Sequence, residues 1–134
     1  MPMMQMMAIF FITYKDTHIW SIFADMKIDF DSIQEQIIPG FKGGMKELHA
    51  KMFFDGMNRV MFGRLEPGAS IGVHTHETSS EILFITRGCC HTVYDGERID
   101  LKTGDVHYCP KGHTHCLVND SSADVEFTAV VPEQ

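Results

Sequence analysis

Two histidines one residue apart, His74 and His76, and a glutamate five positions further on, Glu81, lie in the stretch Gly68-Ala-Ser-Ile-Gly-Val-His74-Thr-His76-Glu-Thr-Ser-Ser-Glu81. Imidazole and carboxylate groups move protons near neutral pH and also hold first-row metals. Residues i and i+2 of an extended strand face the same side, so His74 and His76 project together if this stretch is a strand. Taken alone, the pattern serves a solvated polar turn as well as part of a metal site. A second stretch with similar punctuation, Gly104-Asp-Val-His-Tyr-Cys-Pro110-Lys-Gly112-His-Thr-His115-Cys-Leu-Val-Asn119, carries three more histidines.

The elements that must position these groups read as strands. From Phe41 onward turn signals recur at short intervals: Gly43-Gly44, Asp55-Gly56, Pro67-Gly68, Gly88, Asp95-Gly96, Gly104 and Pro110-Lys-Gly112. Between them lie runs rich in β-branched and aromatic residues, such as Asn58 to Leu65, Glu81 to Thr86 and Asp124 to Val131. That spacing indicates an all-β sandwich or barrel. Asp55-Gly56 and Asp95-Gly96 are expected hairpin turns of the type that needs positive φ at both central residues. The one helical piece expected is short, around Asp31 to Ile37, capped by Asp31 or Ser32 and ended by Pro39-Gly40.

Together the two histidine-bearing stretches resemble the two motifs of the cupin family. The first is similar to G(X)5HXH(X)4E(X)6G, met at Gly68, His74, His76, Glu81 and Gly88, and the second to G(X)5PXG(X)2H(X)3N, met at Gly104, Pro110, Gly112, His115 and Asn119. No defining position is substituted and no gap is needed. The resemblance runs from Gly68 to Asn119; Phe41 to Leu65 and Asp124 to Val131 are compatible flanking strands. It implies a small antiparallel jelly-roll barrel, the double-stranded β-helix, with a divalent metal held by His74, His76, Glu81 and His115. The donor chemistry agrees, since three neutral imidazoles and one carboxylate suit Mn, Fe, Co, Ni or Zn. Four protein donors leave two positions of an octahedron for water or substrate, so such a site is built to bind or react. The resemblance permits isomerase, decarboxylase or dioxygenase chemistry on a small oxygen-rich metabolite. It equally permits a module that binds or senses a small molecule or metal without turnover, because one fold hosts many chemistries.

Strand parity extends the site. Leu83 and Ile85 share parity with Glu81, and Leu117 shares it with His115, so all three are expected to line a small, dry pocket around the metal. His113 precedes His115 by two and is a candidate acid or base at the pocket mouth, with a solvated turn as the alternative. Arg64 and Arg87 are candidate anchors for an anionic substrate, with a solvated surface position as the alternative. Of His107 and Tyr108 one faces inward, and parity across a bulge leaves open which. Ser79 and Ser80 are expected at the exposed rim. Asn119 is expected to bond local backbone as a turn residue. Met45, Met52, Met57 and Met61 are expected to fill gaps within strands.

The bulk composition bounds the partners. A chain of 134 residues is one domain's worth, and a net charge of −7 argues against nucleic acid, which needs a basic surface. Cys89, Cys90, Cys109 and Cys116 form no CxxC pair, which suits reduced thiols in the cytoplasm, although a Cys109–Cys116 disulfide remains open. Met1 to Tyr14 is largely apolar but lacks a basic leader and meets Lys15 and Asp16 too early to span a bilayer. Residues 1–26 are read as an extension upstream of a natural start at Met26, or as a strand swapped in a dimer, ahead of a single domain over residues 27–134. The expected partners are a small molecule and a second copy of the chain as a homodimer, because an exposed sheet edge needs cover.

Overall fold

A computed structural model of the chain describes residues 26–134, and the readings of residues 1–25 lie outside the described residues. Residues 26–32 hold one element, a 3-10 turn over Phe30–Ser32. Asp29 ties it, accepting from the Ser32 hydroxyl at 2.9 Å and from the Asp31 N–H at 3.2 Å.

Residues 33–134 form ten strands: β1 (Gln36–Pro39), β2 (Glu47–Phe54), β3 (Asn58–Leu65), β4 (Ser70–Thr75), β5 (Glu81–Arg87), β6 (Cys89–Tyr94), β7 (Glu97–Lys102), β8 (Val106–Cys109), β9 (Thr114–Val118) and β10 (Val125–Pro132). They make two antiparallel sheets, one of six strands in the order β1-β2-β3-β10-β5-β8 and one of four in the order β4-β9-β6-β7. This is the all-β architecture that the turn spacing indicated, in the jelly-roll form that the resemblance implied. Among the described residues no helix is long and apolar enough to cross a membrane.

Alternation along the strands builds the interior. Met61 and Leu65 of β3, Leu83 and Ile85 of β5, and Val125, Phe127 and Ala129 of β10 are all buried while their sequence neighbours are more exposed, and on β9 Leu117 is buried together with its neighbour Cys116. Each buried Leu or Phe favours folding by roughly 1.5–3 kcal/mol through the apolar surface it removes from water. Phe127 is paired across the ladder with Gly63 and lies over it: a Cβ at residue 63 would stand 2.3 Å from the Phe127 Cζ. The missing side chain is what lets the ring fill this part of the core.

Two local expectations are corrected. The helical piece shrinks to the turn over Phe30–Ser32, and Gln36 and Ile37 belong to β1, where they pair with Ala50 and His49 of β2. Ladder bonds satisfy the backbone there, and the Pro39 that would end a helix instead ends a strand. The hairpin at Asp95-Gly96 has φ of 47° and 86° at its two central residues, as a type I′ turn requires. At Asp55-Gly56 only the glycine has positive φ, 96°. There the Asp55 carboxylate instead accepts from the N–H groups of Met57 (2.9 Å) and Asn58 (2.7 Å), closing a longer loop through its own side chain. All four cysteines are unpaired, and Cys90, Cys109 and Cys116 are buried.

Gly63→Ala is expected to cost about 1–3 kcal/mol by overpacking against Phe127. Urea denaturation checks this, and the double variant with Phe127→Leu should lose less than the sum of the two single losses, because the smaller side chain yields the space.

Candidate metal centre

Pairing of β4 with β9 sets His74 directly opposite His115. His76 lies just past the end of β4, where its N–H donates to the His113 carbonyl at 3.0 Å. That bond carries the strand alternation one step further, so His74 and His76 turn inward while Val73 and Thr75 face out. Glu81 opens β5, in the other sheet, opposite Cys109 of β8. The four groups therefore reach one point from both sheets. Their donor atoms all lie within 4.8 Å of one another, and His76, Glu81 and His115 are buried.

The separations are those of donors that could share one cation. His76 Nε2 lies 3.0 Å from His115 Nε2 and 3.2 Å from Glu81 Oε1, and His115 Nε2 lies 2.9 Å from the same oxygen. Donors about 2.1 Å from a cation stand roughly 3.0 Å apart at a right angle and roughly 3.4 Å apart at a tetrahedral one. The separations among His76, Glu81 and His115 are short enough for all three to reach one cation.

The opposite nitrogen of each imidazole is tethered. His74 Nδ1 bonds the Gly72 carbonyl at 2.7 Å, His76 Nδ1 bonds the Ser79 hydroxyl at 3.0 Å, and His115 Nδ1 bonds His107 Nε2 at 3.0 Å. A carbonyl only accepts, so the proton of neutral His74 sits on Nδ1 and its Nε2 keeps a lone pair. Such outer partners fix ring orientation and tautomer at metal sites. Burial holds His74 below the usual imidazole range, and burial followed by the nearby charge of His115 pushes His107 down to about 4. A neutral His107 can accept the Nδ1 proton of His115. Burial alone would raise the Glu81 carboxyl, but hydrogen bonds from His115 and His76 outweigh it and hold the group at about 2. Those bonds place protons on the inward nitrogens of His115 and His76; with these protons released, a carboxylate and three imidazoles form a donor set that fits a divalent first-row cation.

A cavity of about 600 Å³ opens over these groups. Leu83 and Leu117 line it; Ile85 does not, lying beyond Leu83 in the packed core. Parity states which way a side chain faces and not how deep the cavity reaches. His113 is also off the wall: it precedes β9, alternation does not extend to it, and its Nδ1 bonds the Tyr94 hydroxyl at 3.0 Å and the Asp95 carboxylate. Arg64 and Arg87 lie off the wall too. Arg64 is held by Glu66 and Asp124 at 3.4 Å each, and Arg87 faces Glu126 at 3.9 Å. Ser79 and Ser80, expected at an exposed rim, are buried.

The sequence left His107 undecided and did not single out three further residues of the cavity. His107 is inward and Tyr108 outward on β8, and pairing of His107 with Leu83 explains this, since paired residues share a face. Arg59, Lys42 and Gln36 also line the cavity. Arg59 carried a signal in its parity with Met61 on β3, whereas Lys42 and Gln36 arrive from segments whose path only the fold defines.

A family model described as "Cupin domain" matches residues 61–131, more than half of the chain, and the chain belongs to the cupin family. An oxalate-binding protein of Thermotoga maritima is 37% identical over 68 residues, covering 51% of this chain and 56% of that protein, so the chain spans just over half the length of this curated relative. The crystal structure of a protein described as a predicted oxalate decarboxylase, also from Thermotoga maritima, superposes with a TM-score of 0.75 at 27% identity, covering 80% of this chain and 98% of that one. A cupin-superfamily sugar phosphate isomerase from Silicibacter pomeroyi gives a TM-score of 0.65 at 26% identity, covering 81% of this chain and 76% of that one.

Two outcomes follow from the tethers and the buried acids. Replacing His107 by Leu should weaken metal binding about 10- to 100-fold while the protein stays folded, measured by competition with a chromogenic chelator. In the metal-free protein, folded-state values for His107 and Glu81 below their ordinary ones mean that the unfolded chain takes up more protons on acidification. Stability is then fully present above about pH 6.5, and is lost first between 6.5 and about 4 through His107 and then between 4.5 and about 2 through Glu81. Urea midpoints near pH 7, 5 and 3 should fall in that order, and a flat series contradicts the assignment.

Proposed function

We propose that this cupin is a metal-dependent enzyme in which His74, His76, Glu81 and His115 hold one divalent first-row cation, and that its substrate is a small, oxygen-rich, anionic metabolite. The observation that carries the reading is the convergence of four donors from both sheets, three of them buried, each imidazole turned by a partner at its far nitrogen. A bound divalent cation supplies Lewis acidity, polarising an oxygen of the substrate at positions the protein leaves open.

The protein's own groups supply the rest. Leu83 and Leu117 line the wall and keep that part of it apolar, which strengthens every charge interaction there. Glu81 stays ionised at neutral pH and offsets part of the positive charge. Small oxygen-rich anions are also what the names of the similar proteins bring to mind: one is called oxalate-binding, one a predicted oxalate decarboxylase, one a sugar phosphate isomerase.

A second reading, capture without turnover, is favoured by one feature. Apart from the four donors, the carboxylates on the cavity wall are Glu77 and Glu133, both exposed, and neither is buried in a way that would tune it as an acid or base. The unpaired cysteines support residence in a reducing compartment such as the cytoplasm. A homodimer is supported by β8, an edge strand whose Val106 and Tyr108 are 53% and 54% exposed beside Ile82 and Phe84 of β5.

Metal analysis of tag-free protein should find one first-row ion per chain, lost in His76→Ala. Oxalate, other small acids and sugar acids are then offered to the metal-loaded protein. Metal-dependent product formation supports the enzyme, metal-dependent binding without product supports capture, and turnover that survives His76→Ala removes this centre from the chemistry. Sedimentation should give a dimer that Val106→Lys converts to a monomer.

A further inference from the structure

Of the four arginines in the chain, three face carboxylates: Arg64 meets Glu35, Glu66 and Asp124, Arg87 meets Glu126, and Arg98 meets Asp100 and Asp120. Arg59 does not. It stands two residues before Met61 on β3, so both side chains turn inward, and both line the cavity over the four-donor centre. Its guanidinium carbon lies 4.5 Å from the Phe54 ring centroid, and Nη1 lies 3.8 Å from Met52 Sδ. Among the described residues no carboxylate comes within ion-pair distance of it.

An aromatic face and a thioether hold this guanidinium in place without neutralising it, and among the described residues most of its N–H donors meet no acceptor. Lys42 repeats the arrangement. It lines the same cavity with Nζ 5.6 Å from the Phe41 ring centroid, and among the described residues it too has no ion pair. Glu77 and Glu133, the acidic residues of the rim, are solvent-exposed, so water screens them. Lys42 is exposed as they are, whereas Arg59 is half-buried, so among the described residues the cavity wall holds one partly shielded cation without an ion-pair partner near the four-donor centre. An uncompensated arginine in a concave site fits a carboxylate or phosphate through paired N–H bonds.

We propose that the ligand is a dianion with two distinct ends: a hydroxy- or oxo-carboxylate that reaches the four-donor centre, and a carboxylate or phosphate that seats on Arg59 with Lys42 beside it. This rests on reading the centre as a metal site. The volume agrees, since about 600 Å³ accommodates molecules larger than a two-carbon diacid. Arg59 is then the residue that selects the far end of the substrate, and Met52 and Phe54 position it.

The test is calorimetric titration of Mn²⁺-loaded protein with two pairs of probes. Glycerate and 3-phosphoglycerate share a chelating end and differ by a far phosphate; 2-hydroxybutyrate and 2-hydroxyglutarate differ by a far carboxylate. In at least one pair the dianion should bind about tenfold tighter or better, and which pair does so separates phosphate from carboxylate. Arg59→Gln should abolish the preference while metal content and monoanion binding persist. Arg59→Lys, which keeps the charge, should retain part of it, and Lys42→Gln should weaken it less than Arg59→Gln does. Equal affinities within both pairs, or a preference that survives Arg59→Gln, overturn this inference alone. Failure to take up metal, or monoanion binding that ignores metal, overturns the metal reading and this inference with it.

Discussion

The register of one strand pair underlies the whole site. With β4 and β9 antiparallel and His74 opposite His115, two imidazoles meet across the ladder at the separation that strand geometry imposes. A slip of one residue would send both rings to solvent and set Thr75 and Thr114 in their place. The third imidazole follows from alternation past the strand end, and the carboxylate comes from the facing sheet. The centre therefore depends on the closure of the sandwich, and no single strand could form it. Burial then makes the arrangement decisive: four donors aimed at one another in a water-poor interior repel unless a cation or protons lie between them.

The outer contacts give the site its direction. His107, Ser79 and the Gly72 carbonyl take up the far nitrogens, so each ring presents the same atom inward. Such preorganisation leaves little to rearrange when a ligand arrives. On the wall above, charge is distributed against the trend of the molecule. In a chain with net charge −7, Arg59 and Lys42 at the cavity meet no acidic partner among the described residues, while the other arginines are matched with carboxylates. A half-buried arginine that meets no carboxylate among the described residues attracts an anionic ligand to the concave site it lines.

Much of this was legible in the residues. The spacing of turns indicated an all-β chain, and the two motifs named the four donors, because metal ligands and tight turns constrain residue type at fixed intervals. Less local features were not legible. The stretch Asp31 to Ile37 read as helical by its polar pattern, yet pairing with β2 drew its end into a strand. Leu83 and Ile85 have equal parity, and only the packing places one on the cavity wall and the other in the core. His107 was undecidable between two faces until its pairing with Leu83 was known. Arg64 and Arg59 are alike in sequence, five residues apart on one strand; the difference lies in their neighbours, three carboxylates for one and a ring and a thioether for the other.

The central claim is that three imidazoles and one carboxylate bind a single cation, and X-ray absorption fine structure of the zinc- or manganese-loaded protein addresses it directly. The account predicts outer-shell scattering from three imidazole rings together with a light-atom inner shell that includes the Glu81 oxygen. An all-oxygen shell without ring scattering, or a spectrum unchanged when His115 is replaced by Ala, would contradict it.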